Sequence, residues 1–239
     1  MIRIQPRDHH EHAIWETVLS LSRIQPRGWA LIGAQMVSLL GIECGKTHNR
    51  RSLDIDVLAN VRILQNITEQ MSDSLQSMGF KFSGASPDGV GHRFENGMSK
   101  IDLLAPDGVG PRANITTVYP AHTVQVPGGS QALSRTEAIE IILHESTGSI
   151  LRPSLLGAII LKAHAVDIDD VPESQLEDLA FLLSLVENAR SLAGQMGKRD
   201  RRQLRRRVAL LDPGHDAWIG ITDFSAGCRN LRVLLRQDQ

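Results

Sequence analysis

From His10 to Leu21 the apolar residues Ala13, Ile14, Val18, Leu19 and Leu21 recur at helical spacing, which predicts an amphipathic lead-in helix. A Pro-containing connector, Arg23 to Arg27, gives way to the apolar run Trp29 to Ile32. This run stops at Gly33 and passes into Gln35 to Leu40 with helix-like spacing. The order reads as strand, glycine turn and helix. Leu53 to Leu58 follows as a strand in which Ile55 and Val57 alternate with Asp54 and Asp56, so one face can anchor in a core while the acids occupy the other. The stripe Ile63, Leu64, Ile67, Met71, Leu75 and Met78 then predicts a helix over Val61 to Met78, its methionines in the core.

Phe80 to Ser83 and Val90 to Phe94 are short strand candidates around the turn Ser86-Pro87-Asp88-Gly89, and Glu95-Asn96-Gly97 predicts a hairpin onto a strand through Lys100 to Leu104. Pro106 to Asn114 reads as a loop, and Thr123 to Val126 alternates before Pro127-Gly128-Gly129 breaks it. Ala138 to Leu143 with Ile150-Leu151 fits a second hairpin, and a helix over Glu137 to Glu145 competes with it. Beyond Pro153 the pattern is helical: Ser154 to Val166, Glu173 to Leu192, Arg199 to Leu211 and His215 to Leu235. The expected organisation is a mixed α/β domain over residues 1 to 125 followed by a mainly helical domain over 126 to 239 that closes the active-site cleft.

Composition adds limits. A chain of 239 residues with 41% hydrophobic and 22% charged residues can bury a sizeable core, and with aromatics at 4% that core leans on Leu, Ile, Val and Ala. A formal charge of -1 gives no global attraction to nucleic acid, so any such attraction must be local. Cys44 and Cys228 are too few for a disulfide framework or a thiolate metal site. With no apolar h-region in Met1 to Glu16 and no run long enough to span a bilayer, a cytoplasmic location without membrane contact is expected.

The chemistry concentrates at a few positions. Asp54 and Asp56, two apart on a strand, point together, and like charges held so close favour a cation between them. Mg2+ (or Mn2+), which binds one or two carboxylates together with substrate phosphates, suits that pair, although a polar strand edge is the plainer alternative. Asp102, flanked by Ile101 and Leu103, supplies a third acid on another strand, and the turn at Gly33 opens a helix whose free N–H groups can receive phosphate oxygens. Lys162 stands out on an almost apolar helix, either as a functional cation or as a snorkelling side chain. Asp178, on another mostly apolar helix, could orient Lys162 or form a plain buried ion pair with it. The run Lys198 to Arg207 is the densest in charge, and it reads either as a solvated helix or as an RNA phosphate contact through Arg201, Arg202, Arg205, Arg206 and Arg207. Asp8-His9-His10-Glu11-His12 invites a metal reading but fits a solvated lead-in better.

Gly33, Arg50, Ser52, Asp54, Asp56, Asp102, Lys162 and Asp178 together resemble the signature of the DNA polymerase beta-type nucleotidyltransferases, and within them the AbiEii-like toxin nucleotidyltransferases. The resemblance spans about residues 28 to 187. Ala34 departs from it where the family more often has Gly or Ser, and Asp167, Asp169 and Asp170 stand where a basic run is the rule. The resemblance implies transfer of a nucleoside monophosphate from a nucleoside triphosphate to an acceptor, with Asp54, Asp56 and Asp102 as metal ligands. It also implies that Gly33 leaves room for phosphates, Ser52 hydrogen-bonds one of them, Lys162 neutralises phosphate charge and Asp178 supports Lys162. As partners it implies an RNA acceptor, the end of a transfer RNA, and a cognate antitoxin protein. A small-molecule or protein acceptor, or a non-catalytic nucleotide- or RNA-binding protein of the same fold, is the alternative.

Overall fold

A computed structural model describes residues 1–236, which form two compact units: residues 1–36 with 51–153, and residues 37–50 with 154–236. The expected boundary near residue 125 lies inside the first unit, which runs on to Pro153.

The first unit opens with β1 (Ile2–Ile4) and α1 (His9–Ile24). The Asp8 carboxylate starts α1 by accepting from the N–H groups of His10 and Glu11 at 3.1 and 2.9 Å, an N-cap that satisfies two orphan donors. β2 (Trp29–Ile32) leads at Gly33 into α2 (Gly33–Glu43), which begins in the first unit and ends in the second. Then come β3 (Asp54–Ala59), α3 (Ile67–Ser77), β4 (Lys81–Phe82), β5 (Arg93–Asn96), β6 (Ser99–Pro106), β7 (Gln125–Val126), α4 (Gly129–Leu133), β8 (Thr136–Leu143) and β9 (Ser146–Pro153). One mixed sheet has the order β2-β3-β6-β5-β4, with β7 also on β6; its β3–β6 pair is parallel, and β2–β3, β6–β5 and β5–β4 are antiparallel. A parallel pair needs a crossover, here supplied by α3 and the segment through β4 and β5. Ile55, Val57, Ile101, Leu103 and Phe94 are fully buried on one face of this sheet.

One expectation changes here and one alternative is decided. The helix predicted from Val61 starts at Ile67, because the carbonyl of Asn60 closes turns with the N–H groups of Ile63 and Leu64. Ile63 accordingly lies outside the core stripe, 69% exposed. The competing helix over Glu137 to Glu145 gives way to the hairpin: β8 pairs with β9 along its whole length and with β1 in parallel, Ile2 opposite Ile141. This last pairing joins the hairpin to β1, and β9 also packs on β2 and α1.

The second unit contains α5 (Leu155–Ala165), α6 (Pro172–Ser184), α7 (Ala189–Gly194), α8 (Lys198–Arg205) and α9 (Phe224–Leu235), with short 3-10 turns at Val208–Leu211 and Asp216–Trp218. The helix expected over Glu173 to Leu192 is broken. Asn188 caps α7 by accepting from the Ser191 N–H at 3.0 Å, and the Asn230 amide donates to the Leu183 and Val186 carbonyls released at the end of α6. The helices expected over Arg199 to Leu211 and His215 to Leu235 likewise divide into a helix and a 3-10 turn each. Among the described residues no helix is long and apolar enough to cross a membrane.

Candidate active site

Alternation along β3 turns Asp54 and Asp56 to the face opposite Ile55 and Val57, and the register of the sheet decides what they meet. Asp54 pairs with Lys100 and Asp56 with Asp102; across the next strand Lys100 pairs with Glu95 and Asp102 with Arg93. Directly paired residues project from the same face. The result is two charged rows, Asp54-Lys100-Glu95 and Asp56-Asp102-Arg93. Neighbouring strands lie about 4.8 Å apart, so the sheet brings Asp102 beside Asp54 and Asp56, which lie far from it in sequence on another strand. Arg93 and Lys100 carry no signal in the spacing that would mark them as members of this face.

Arg93 binds Asp102 as a fork, its Nε and Nη2 donating to the two carboxylate oxygens at 2.8 and 2.7 Å. These hydrogen bonds raise the Arg93 pKa above its ordinary value; burial opposes the rise, and the charges of Asp102, Asp54 and Glu95 add to it. Gly33 opens α2 at φ +66, and a Cβ built there would stand 1.8 Å from an Asp56 carboxylate oxygen. A side chain at residue 33 would therefore displace the acid, and the space over Gly33 serves Asp56 itself. Ser52 Oγ accepts from the Asp54 N–H at 3.2 Å, and the Gln35 amide donates to the Ser52 carbonyl at 2.9 Å, so both fix the chain leading into β3.

The expected metal ligands Asp54, Asp56 and Asp102 share this face, and Asp102 is engaged by Arg93 through both oxygens. Among the described residues no group of three His, Cys, Asp or Glu side chains is placed to hold a metal ion. Asp54 and Asp56 alone do match the one or two carboxylates by which Mg2+ is held alongside substrate phosphates.

Lys162 and Asp178 belong to the second unit. Asp178, on α6, is completely buried, and Lys162 on α5 is 4% exposed, so the lysine does not snorkel. Its Nζ lies 2.7 Å from an Asp178 oxygen and donates to Gln175 Oε1 at 2.8 Å. Arg50 forks onto the same carboxylate at 2.8 and 2.7 Å, and His48 Nε2 lies 3.6 Å from it. Burial works to raise the Asp178 pKa, but Lys162 and Arg50 outweigh it and hold the carboxyl below its usual range. His48 is lowered, first by burial, against the pull of Asp178. Beside this cluster lies a cavity of about 440 Å3 whose walls include Lys46, His48, Arg50, Glu177, Phe181 and Thr222. The sequence pattern does not signal it.

The basic run is only partly available to a partner. Arg201 donates to the carbonyls of Met196 and Ala193, both at 2.9 Å, and so serves the end of α7. Arg207 is 9% exposed and binds the Ala163 carbonyl and Asp167. These two arginines satisfy backbone carbonyls and a carboxylate of the second unit. Arg206 is exposed and pairs with Asp167 at 3.1 Å, while Arg202 and Arg205 are exposed on α8.

Compared with solved structures, the chain is similar to the crystal structure of an antigenic nucleotidyltransferase-like protein from Paracoccidioides brasiliensis. The identity is 13% and the TM-score 0.50, over 90% of this chain and 92% of that one. The likeness is one of fold, a nucleotidyltransferase-like mixed sheet flanked by helices. No family model and no curated protein matches the chain.

Proposed function

We propose that the protein is a metal-dependent nucleotidyltransferase that moves a nucleoside monophosphate from a nucleoside triphosphate to the end of an RNA, a transfer RNA by resemblance. In this reading it is the AbiEii-like toxin of a toxin–antitoxin pair. The observation that carries the reading is the acidic pair Asp54 and Asp56 set beside the Gly33 turn on a nucleotidyltransferase-like fold. Asp54 and Asp56 would hold one divalent ion, which when bound supplies positive charge to the nucleotide phosphates. α2 opens at Gly33, against which Asp56 lies, and the free N–H groups of a helix start can receive phosphate oxygens. Asp102, held by Arg93, keeps the face around the acids in a fixed charge pattern.

A small-molecule acceptor is the second reading, favoured by the 440 Å3 cavity of the second unit, a size within the range of small-ligand sites. Incubating the purified protein with Mg2+, total RNA and each α-labelled nucleoside triphosphate in turn separates the readings. Label that nuclease releases supports the RNA acceptor, and label on nuclease-resistant small molecules supports the second reading. No label with any nucleotide leaves a binding protein of this fold and ends the enzymatic reading.

If RNA is the acceptor, replacing Arg202 and Arg205 together by Gln weakens RNA binding and flattens its dependence on log salt by about 0.9 or less for each phosphate no longer neutralised. A mobility-shift titration at several salt concentrations measures both. Unchanged affinity and slope would leave α8 as a solvated helix.

A further inference from the structure

We propose that Arg93 is a built-in cation that takes the place of a divalent ion at Asp102, so that this face holds one divalent ion, on Asp54 and Asp56. The inference rests on the nucleotidyltransferase reading above and deepens it. Asp56 and Asp102 are cross-strand partners, and two like charges directly opposite each other repel unless a cation intervenes. The sheet supplies that cation from the other side: β5 sets Arg93 opposite Asp102, and both carboxylate oxygens receive guanidinium N–H groups at 2.8 and 2.7 Å. A guanidinium stays charged throughout the accessible pH range, and its fork matches a carboxylate edge to edge. An ion bound at Asp102 would have to share the carboxylate with both of these charge-assisted hydrogen bonds and sit against the guanidinium's positive charge.

The arginine is placed by the hairpin itself: Gly97 at φ +60 opens a two-residue turn, and the pairing of Asn96 with Ser99 fixes Arg93 opposite Asp102.

The test is the number of Mn2+ ions bound by the full chain, read by electron paramagnetic resonance of free Mn2+, with and without a non-hydrolysable nucleoside triphosphate. The wild type is expected to bind one ion per chain, Arg93→Gln two, and Arg93→Lys, which keeps the charge, one. Adding Asp102→Asn to Arg93→Gln should return the count to one. Two ions on the wild type, or an unchanged count in Arg93→Gln, overturns the role of Arg93 and leaves the metal-dependent reading standing. No ion on the wild type under either condition overturns both. Should Arg93→Gln fail to fold, as circular dichroism would report, the wild-type count still decides between one ion and two.

Discussion

Asp178→Ala lowers the unfolding free energy by about 3 to 5 kcal/mol, the cost of breaking a buried ion pair and leaving its partner unpaired. Asp178 is completely buried and is the acceptor for Lys162, itself 4% exposed, and for the Arg50 fork. Removing the carboxylate takes a charge partner from a buried ammonium and a half-buried guanidinium together. Lys162→Met costs less, because Arg50 and His48 still face Asp178 and the methionine fills the lysine stem's space. Urea unfolding of the two variants beside the wild type measures the difference. The same cluster sets an acid limit. The folded-state pKa of Asp178 is depressed, so its contribution is present above the ordinary aspartate value of 3.8 and is lost as pH falls through the depressed value. His48, lowered mainly by burial, acts in the same direction from 6.5 downward, since the unfolded chain takes up a proton that the folded one refuses. The wild-type urea midpoint should therefore fall below pH 6.5 and more steeply below pH 3.8, and a midpoint that is flat across this range would remove Asp178 from the account.

Asp54→Asn and Asp56→Asn each reduce nucleotide transfer about a hundredfold or more, the usual cost of removing a principal group that stabilises charge in the transition state. Asn keeps the shape of the side chain, so Asp56→Asn still fits against Gly33. Transfer at the native rate in either variant would leave the pair as a polar feature of the strand.

Much of this arrangement was legible because β3 announces itself. Acids alternating with Ile55 and Val57, after an apolar run that ends at Gly33, leave little freedom in which face is buried. The hairpin bearing Asp102 was legible too, but its register was not. A turn centred on Asn96-Gly97 would set Arg93 opposite Lys100, whereas the turn centred on Gly97-Met98 sets it opposite Asp102. A shift of one residue along the turn thus decided whether the third acid had a cation. The contacts that escaped are those made across long stretches of chain. β1 is three residues long and takes its place from a parallel pairing with β8, for which no local pattern exists. Arg50 and Asp178 are 128 positions apart, so neither could be assigned to the other from spacing. In the basic run, composition could not distinguish arginines that hold carbonyls, Arg201 and Arg207, from those that face solvent.

The most direct measurement is calorimetric titration of a non-hydrolysable nucleoside triphosphate into the wild type and into Asp56→Asn, each with Mg2+ and with the ion chelated. If nucleotide phosphates are held through an ion on Asp54 and Asp56, heat of binding appears for the wild type with Mg2+, disappears on chelation, and is absent or greatly weakened in Asp56→Asn. Binding of equal affinity with the ion chelated, or in Asp56→Asn, would contradict the placement of the nucleotide on this face.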